Sequence, residues 1–149
     1  MERSVSVVRV ILVALCAWLL VGPTADAGEV RLVLVASADS PIASLSPAEV
    51  RRLYLGVPIT QNGHGITPLR NASDDTVREM FLQRVLFMSA MAYERQISAR
   101  LYRSGGNRLP EYSSARDLVA ALAADRWSVT YMSEKAAAEF SGVKIVGEL

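Results

Sequence analysis

The chain alternates short apolar, β-branched runs with amphipathic segments that open on serine. Residues 29–36 (EVRLVLVA) are apolar with few breaks, the pattern of a strand covered on both faces. After a polar connection holding Pro41, Ser46-Pro47-Ala48-Glu49 sets a capping serine, a proline at the first helical position and a glutamate at the third. That is a capping box with a favoured N1 proline, and it predicts a helix start. Val50, Leu53 and Tyr54 form its apolar stripe, and Gly56 ends it. Residues 57–65 predict a turn region punctuated by Asn62-Gly63 and Gly65. Residues 66–69 predict a short strand, and Pro68 within it argues for an edge or terminal position.

Ser73 predicts the cap of the next helix, with Asp74 and Asp75 in the first turn and Val77, Met80, Phe81 and Val85 as the buried face. Ser89 predicts a restart carrying Met91, Ile97 and Leu101, closed by Gly105-Gly106 and Pro110. Ser113 or Ser114 opens a further helix through Leu118, Val119 and Leu122. Residues 127–132 predict a second good strand, 133–140 a short helix and 143–146 a last strand. Leu53, Tyr54, Met80, Phe81, Phe87, Met88 and Met91 fall at helical spacing and are expected in the core. Strands alternating with helices predict the α/β class. Connections this long suit crossovers, so the expectation is a small mixed, mainly parallel sheet flanked by helices.

The first residues stand apart from this pattern. Arg3 and Arg9 precede the apolar run 10–21, which is followed by Gly22-Pro23 and Ala25-Asp26-Ala27. A basic start, a short apolar stretch and an A-x-A site describe a secretory signal peptide over 1–27. The run is short for a bilayer span, which needs about 20 apolar residues. Residues 28–149 are then expected to form one domain of ordinary size, delivered to the periplasm. The one cysteine, Cys16, lies in the signal, so the domain is expected to use no disulfide, thiol nucleophile or thiolate metal site. A net charge of +1 carries no bulk signal for nucleic acid.

No catalytic constellation is legible. His64 is the one histidine and sits in an Asn-Gly-His-Gly turn, without the oriented partner and positioned nucleophile that imidazole catalysis needs. Phosphate loops, nucleophile elbows and histidine-based zinc patterns are missing too. No enzyme, cofactor or metal is therefore expected. Anion binding has more support. A strand delivers Arg70 beside the start of a helix, where unpaired N–H groups and a partial positive charge gather. Arg70 would add a planar donor fork, and Ser73 and Thr76 hydroxyls. A structural alternative stands beside it: Ser73 caps, Asp74 and Asp75 satisfy the helix dipole, and Arg70 pairs with one of them. A second basic cluster, Arg95, Arg100, Arg103 and Arg108 around Ser104-Gly105-Gly106, suits either a docking role or a solvated helix end.

With these residues in view, SLSPAEVRRLYLG, the Gly-containing turn and ITPL resemble a segment of the type 2 periplasmic binding proteins. The nearest branch is the phosphate-binding proteins of ABC transporters and their short, PstS-like relatives. VREMFLQRVL, SARLYRSGGNRLPE and SSARDLVAALAADRWSVTYMS resemble the elements that follow in that branch. In the family an arginine is followed closely by a Ser-Gly-Thr helix start; here Arg70 and Thr76 match, and Asp74-Asp75 replace the Ser-Gly pair. The resemblance implies a single lobe of the two-lobed fold and a non-enzymatic solute-binding role, phosphate or a related oxyanion held by Arg70, Ser73 and Thr76. It equally leaves open a ligand-free interaction or sensory module. The partners it implies are a membrane transporter, porin or sensor protein, with a homo-oligomer as an open alternative.

Overall fold

The computed structural model describes residues 28–149; the expected signal segment, 1–27, lies outside the described residues. The first strand, β1 (Leu32–Ser37), is buried at all six positions, as the unbroken apolar run requires. It lies between β7 (Ser128–Ser133) and β8 (Val143–Glu148) and runs antiparallel to both. The two-residue β4 (Thr67–Pro68) adds in parallel to the outer side of β7, giving the order β4-β7-β1-β8. Pro68 thus sits on an edge, where its missing N–H costs no ladder bond.

The mixed α/β architecture follows the expectation, and one detail is corrected. Strands β4, β7 and β8 share a direction, and β4 pairs with β7 in parallel, as connections long enough for crossovers allow. However, β1 runs against them and is inserted between two of them, so two of the three pairings in this sheet are antiparallel. Crossover length constrains the strands it joins; it does not exclude a third strand between them.

Alternate side chains of β1 serve two cores. Leu32, Leu34 and Ala36 pack with Leu53 and Tyr54 of α1 (Pro47–Tyr54), Phe81 of α2 (Asp75–Phe81) and Tyr93 and Ile97 of α3 (Ala90–Ser104). Val33 and Val35 pack on the other face with Leu118 and Leu122 of α4 (Ala115–Ala124) and Ala137 of α5 (Glu134–Ala138). The Ser46–Glu49 capping box forms at the start of α1. Ser89, Ser114 and Ser133 cap α3, α4 and α5 with a hydroxyl that accepts from the N–H three residues on, without the reciprocal bond.

Three local features differ from the sequence pattern. The helix at residue 75 is capped by Asp74, whose carboxylate accepts from the Thr76 and Val77 amides, not by Ser73. Ser73 instead turns both its N–H and its hydroxyl to Asn71 Oδ1. Next, α2 runs into a π-helical turn, Leu82–Leu86, ended by Phe87 in the left-handed region at φ 56°. That extra residue per turn shifts the helical phase, so Phe87, expected in the core, is exposed; Met91, also expected there, is exposed on the separate helix that starts after Ser89, whose buried face is Tyr93 and Ile97. Finally, Asn62 and Gly63, both at positive φ, close a hairpin of β2 (Thr60–Gln61) and β3 (His64–Gly65), the two-residue turn that Asn-Gly favours.

Candidate functional site

Arg70 and Asn71 form β5 (Arg70–Asn71), which pairs in parallel with β6 (Glu111–Tyr112) beside the main sheet. Its position is held from below by side chains. The Tyr54 hydroxyl donates to the Leu69 carbonyl at 2.8 Å, and Thr130 Oγ1 donates to the same oxygen at 2.9 Å. Asn71 Nδ2 donates to the Tyr131 carbonyl, and the Tyr131 hydroxyl returns a bond to the Asn71 carbonyl at 3.1 Å. Phe81 stacks on Tyr131 with centroids 3.8 Å apart, and Tyr54 meets Phe81 edge-on at 4.7 Å. Burial raises the Tyr54 and Tyr131 hydroxyls above their usual range and pushes Tyr93 up to about 12. All three are thus neutral hydrogen-bond donors at physiological pH.

Above this aromatic floor the Arg70 guanidinium is already engaged. Its Nη2 lies 2.6 Å from Glu94 Oε1 of α3 and 2.8 Å from Glu111 Oε2 of β6, and its carbon sits 5.4 Å from the Tyr93 ring centroid. Glu111 is the β-ladder partner of Arg70, so strand pairing itself brings the two charges together. The second oxygen of Glu94 accepts from Arg108 at 2.8 Å, and Arg108 also reaches Ser98 at 3.1 Å. Burial opposes ionisation of Glu94, but the Arg108 hydrogen bond and the Arg70 charge outweigh it and hold its carboxyl below the usual range. The cluster is a chain of two arginines and two glutamates, balanced in charge.

The three expected oxyanion residues do not converge. Arg70 lines a cavity of about 80 Å³ with Arg78, Tyr54, Phe81, Tyr93, Glu94 and Tyr131. Thr76 lines a separate cleft of about 460 Å³ with Asp74, Arg31 and Lys135. Ser73 spends its hydroxyl on Asn71. The alternative reading is also revised in detail: Asp74 does the capping, Asp75 pairs with Arg78 at 3.2 Å, and Arg70 pairs with neither. Glu94 and Glu111 escaped sequence reading because they come from distant segments that only the tertiary fold assembles. Arg78 was legible in principle, three residues after Asp75 on a helix. His64 stacks on Trp127 at 4.5 Å on the exposed hairpin. The described residues hold no group of three or more metal-ligating side chains, and no helix among them is long and apolar enough to cross a membrane.

No protein-family model matches the chain, and no curated protein matches it. Solved structures do. An ABC-type phosphate transport receptor from Vibrio cholerae superposes with a TM-score of 0.56 at 14% identity, over 78% of this chain and 45% of that one. A possible phosphate binding protein from Planctomyces limnophilus DSM 3776 gives a TM-score of 0.52 at 15% identity, over 78% of this chain and 40% of that one. The fold is that of a partial PstS-like type 2 binding-protein lobe. At this identity the likeness is one of backbone, and the chain spans less than half the length of each of these two proteins. In this PstS-like lobe the arginine of the β5 strand faces carboxylates of its own chain.

Proposed function

We propose that this chain is a periplasmic, non-enzymatic domain of binding-protein type that acts through protein contact, with its oxyanion position occupied from within. The observation that carries this is the Arg70 guanidinium held by both Glu94 and Glu111. A phosphate approaching Arg70 would meet those two carboxylates. At about 4 Å each like-charge pair costs roughly 1 kcal/mol in water and about 4 kcal/mol near a protein surface. The Asp74 carboxylate meanwhile takes the free amides at the start of α2, removing the other donors an anion would use. Export through a signal peptide cleaved after Ala27 is part of the proposal, and N-terminal sequencing of the secreted protein is expected to start at Gly28.

A second reading, weak phosphate capture, draws support from the two phosphate proteins of the same fold and from Arg70 and Arg78 sharing one cavity. A ligand of the native state raises Tm by mass action, so a thermal titration separates the two. The expected result is no shift of the wild type in millimolar phosphate relative to sulfate or chloride. A phosphate-specific rise that disappears in Arg70→Ala would overturn the proposal in favour of capture.

A further inference from the structure

We propose that the outer face of α3, with Phe87 just before it, is a docking surface for an acidic segment of another protein. This inference rests on the protein-contact reading above and names the surface and the chemistry it fits. Three of the exposed large apolar side chains lie on this helix or just before it: Phe87 (69% exposed), Met91 (65%) and Tyr102 (93%). Positions 91, 95, 98 and 102 form one stripe at helical spacing, opposite the buried Tyr93 and Ile97. Met91 and Tyr102 are about 16 Å apart along the axis at 1.5 Å per residue, a length that a short extended or helical segment can cover.

Arginines flank this stripe. The Arg51 guanidinium lies 5.0 Å over the Phe87 ring, and Arg95 Nη2 reaches Met91 Sδ at 3.2 Å. Arg51 beside Phe87, Arg95 on the stripe and Arg103 on its flank are exposed and, among the described residues, make no ion pair. The one acid of α3, Glu94, is taken by Arg70 and Arg108. What remains is phenylalanine, methionine and tyrosine set among unpaired arginines, the residue types that protein interfaces enrich, with carboxylates and lysines missing as they are there. The backbone at Phe87 fits the same use: a bulky residue in the left-handed region is uncommon, and here its ring is turned outward. A lipid surface is a poorer match. The opposite side of α3 is committed to the core, and three spaced apolar side chains offer little area for insertion. A partner with carboxylates around an apolar anchor complements both features.

The test uses a fluorescein-labelled synthetic peptide of glutamates with leucines three and four residues apart, followed by fluorescence anisotropy. Wild-type protein is expected to bind it with a strong salt dependence. The double variant Arg95→Glu/Arg103→Glu should weaken binding roughly tenfold or more, and Arg116→Glu on exposed α4 should leave it unchanged. Melting curves of each variant report whether the fold is retained. Equal binding by both variants, or none by wild type, overturns the proposal. So does loss in the double variant of binding to phosphatidylglycerol vesicles without any peptide binding, or of a dimer seen by sedimentation. Phosphate titration of the same samples separates the levels. A phosphate-specific shift defeats the functional reading, whereas silent phosphate with silent peptide defeats only this surface.

Discussion

At the residue scale the Leu69 carbonyl shows how the candidate site is held. It accepts from both Tyr54 and Thr130, so deleting one donor leaves the oxygen satisfied. Tyr54→Phe or Thr130→Val alone is expected to cost about 1 kcal/mol, near the net worth of one hydrogen bond. Removing both strands a buried acceptor, and the pair should cost more than the sum by urea denaturation. Gly56 is constrained differently. At φ 86° it adopts the left-handed form, and a Cβ there would displace the flexible Arg100 guanidinium. From the strain of that backbone form alone, Gly56→Ala should destabilise by about 1–3 kcal/mol, in the same measurement. Glu94 sets an acid dependence. Its carboxyl titrates below the ordinary value of 4.5 in the folded protein. Its contribution is thus complete above that value and is lost as pH falls through the depressed one. Glu94→Gln should flatten the acid limb of Tm against pH, and an unchanged limb would remove Glu94 from the cause.

At the element scale, local chemistry was legible and long-range chemistry was not. The four serine caps at Ser46, Ser89, Ser114 and Ser133 are short-range events, so a few residues specify each. Ser73 fails that rule because Asn71 offers its hydroxyl a partner two residues back and Asp74 is a comparably good cap. Asp74→Ala should cost about 1 kcal/mol, within the 0.5–2 range for a lost N-cap, whereas Ser73→Ala should leave the helix itself unaffected. Circular dichroism during thermal melting distinguishes the two. The π-turn at Leu82–Leu86 explains the misplaced Phe87, whereas Met91 lies beyond the Ser89 cap in a helix that buries Tyr93 and Ile97 instead. Helical periodicity carries phase only while the turn stays at 3.6 residues, and nothing in LQRVL announces the change. The Arg70–Glu94–Glu111 cluster depends on β5 meeting β6 and on α3 bringing Glu94 to Arg70; no spacing rule connects such distant positions.

At the scale of the whole molecule, the α/β class was legible, because buried runs and helix starts repeat along the chain. The place and direction of β1 were not, since its pattern is equally suited to either pairing direction. That order has a consequence for how the protein comes into being. Leu34 is flanked by Tyr131 and Gly147, so the most apolar strand of the domain has both partners near the far end of the described chain. A polypeptide leaving a ribosome or a translocation pore N-terminus first carries this strand unsatisfied until almost everything else has emerged. Non-local pairing of this kind slows folding and prolongs exposure of an aggregation-prone segment. The domain is accordingly expected to fold only after β8 has emerged. Arrested nascent chains ending before β7 should remain protease-sensitive, and protection should appear only once β8 has cleared the exit. Until that moment β1 is an exposed apolar segment of the kind a holding chaperone shields, and the strand order itself delays folding in the way an export route for unfolded chains requires.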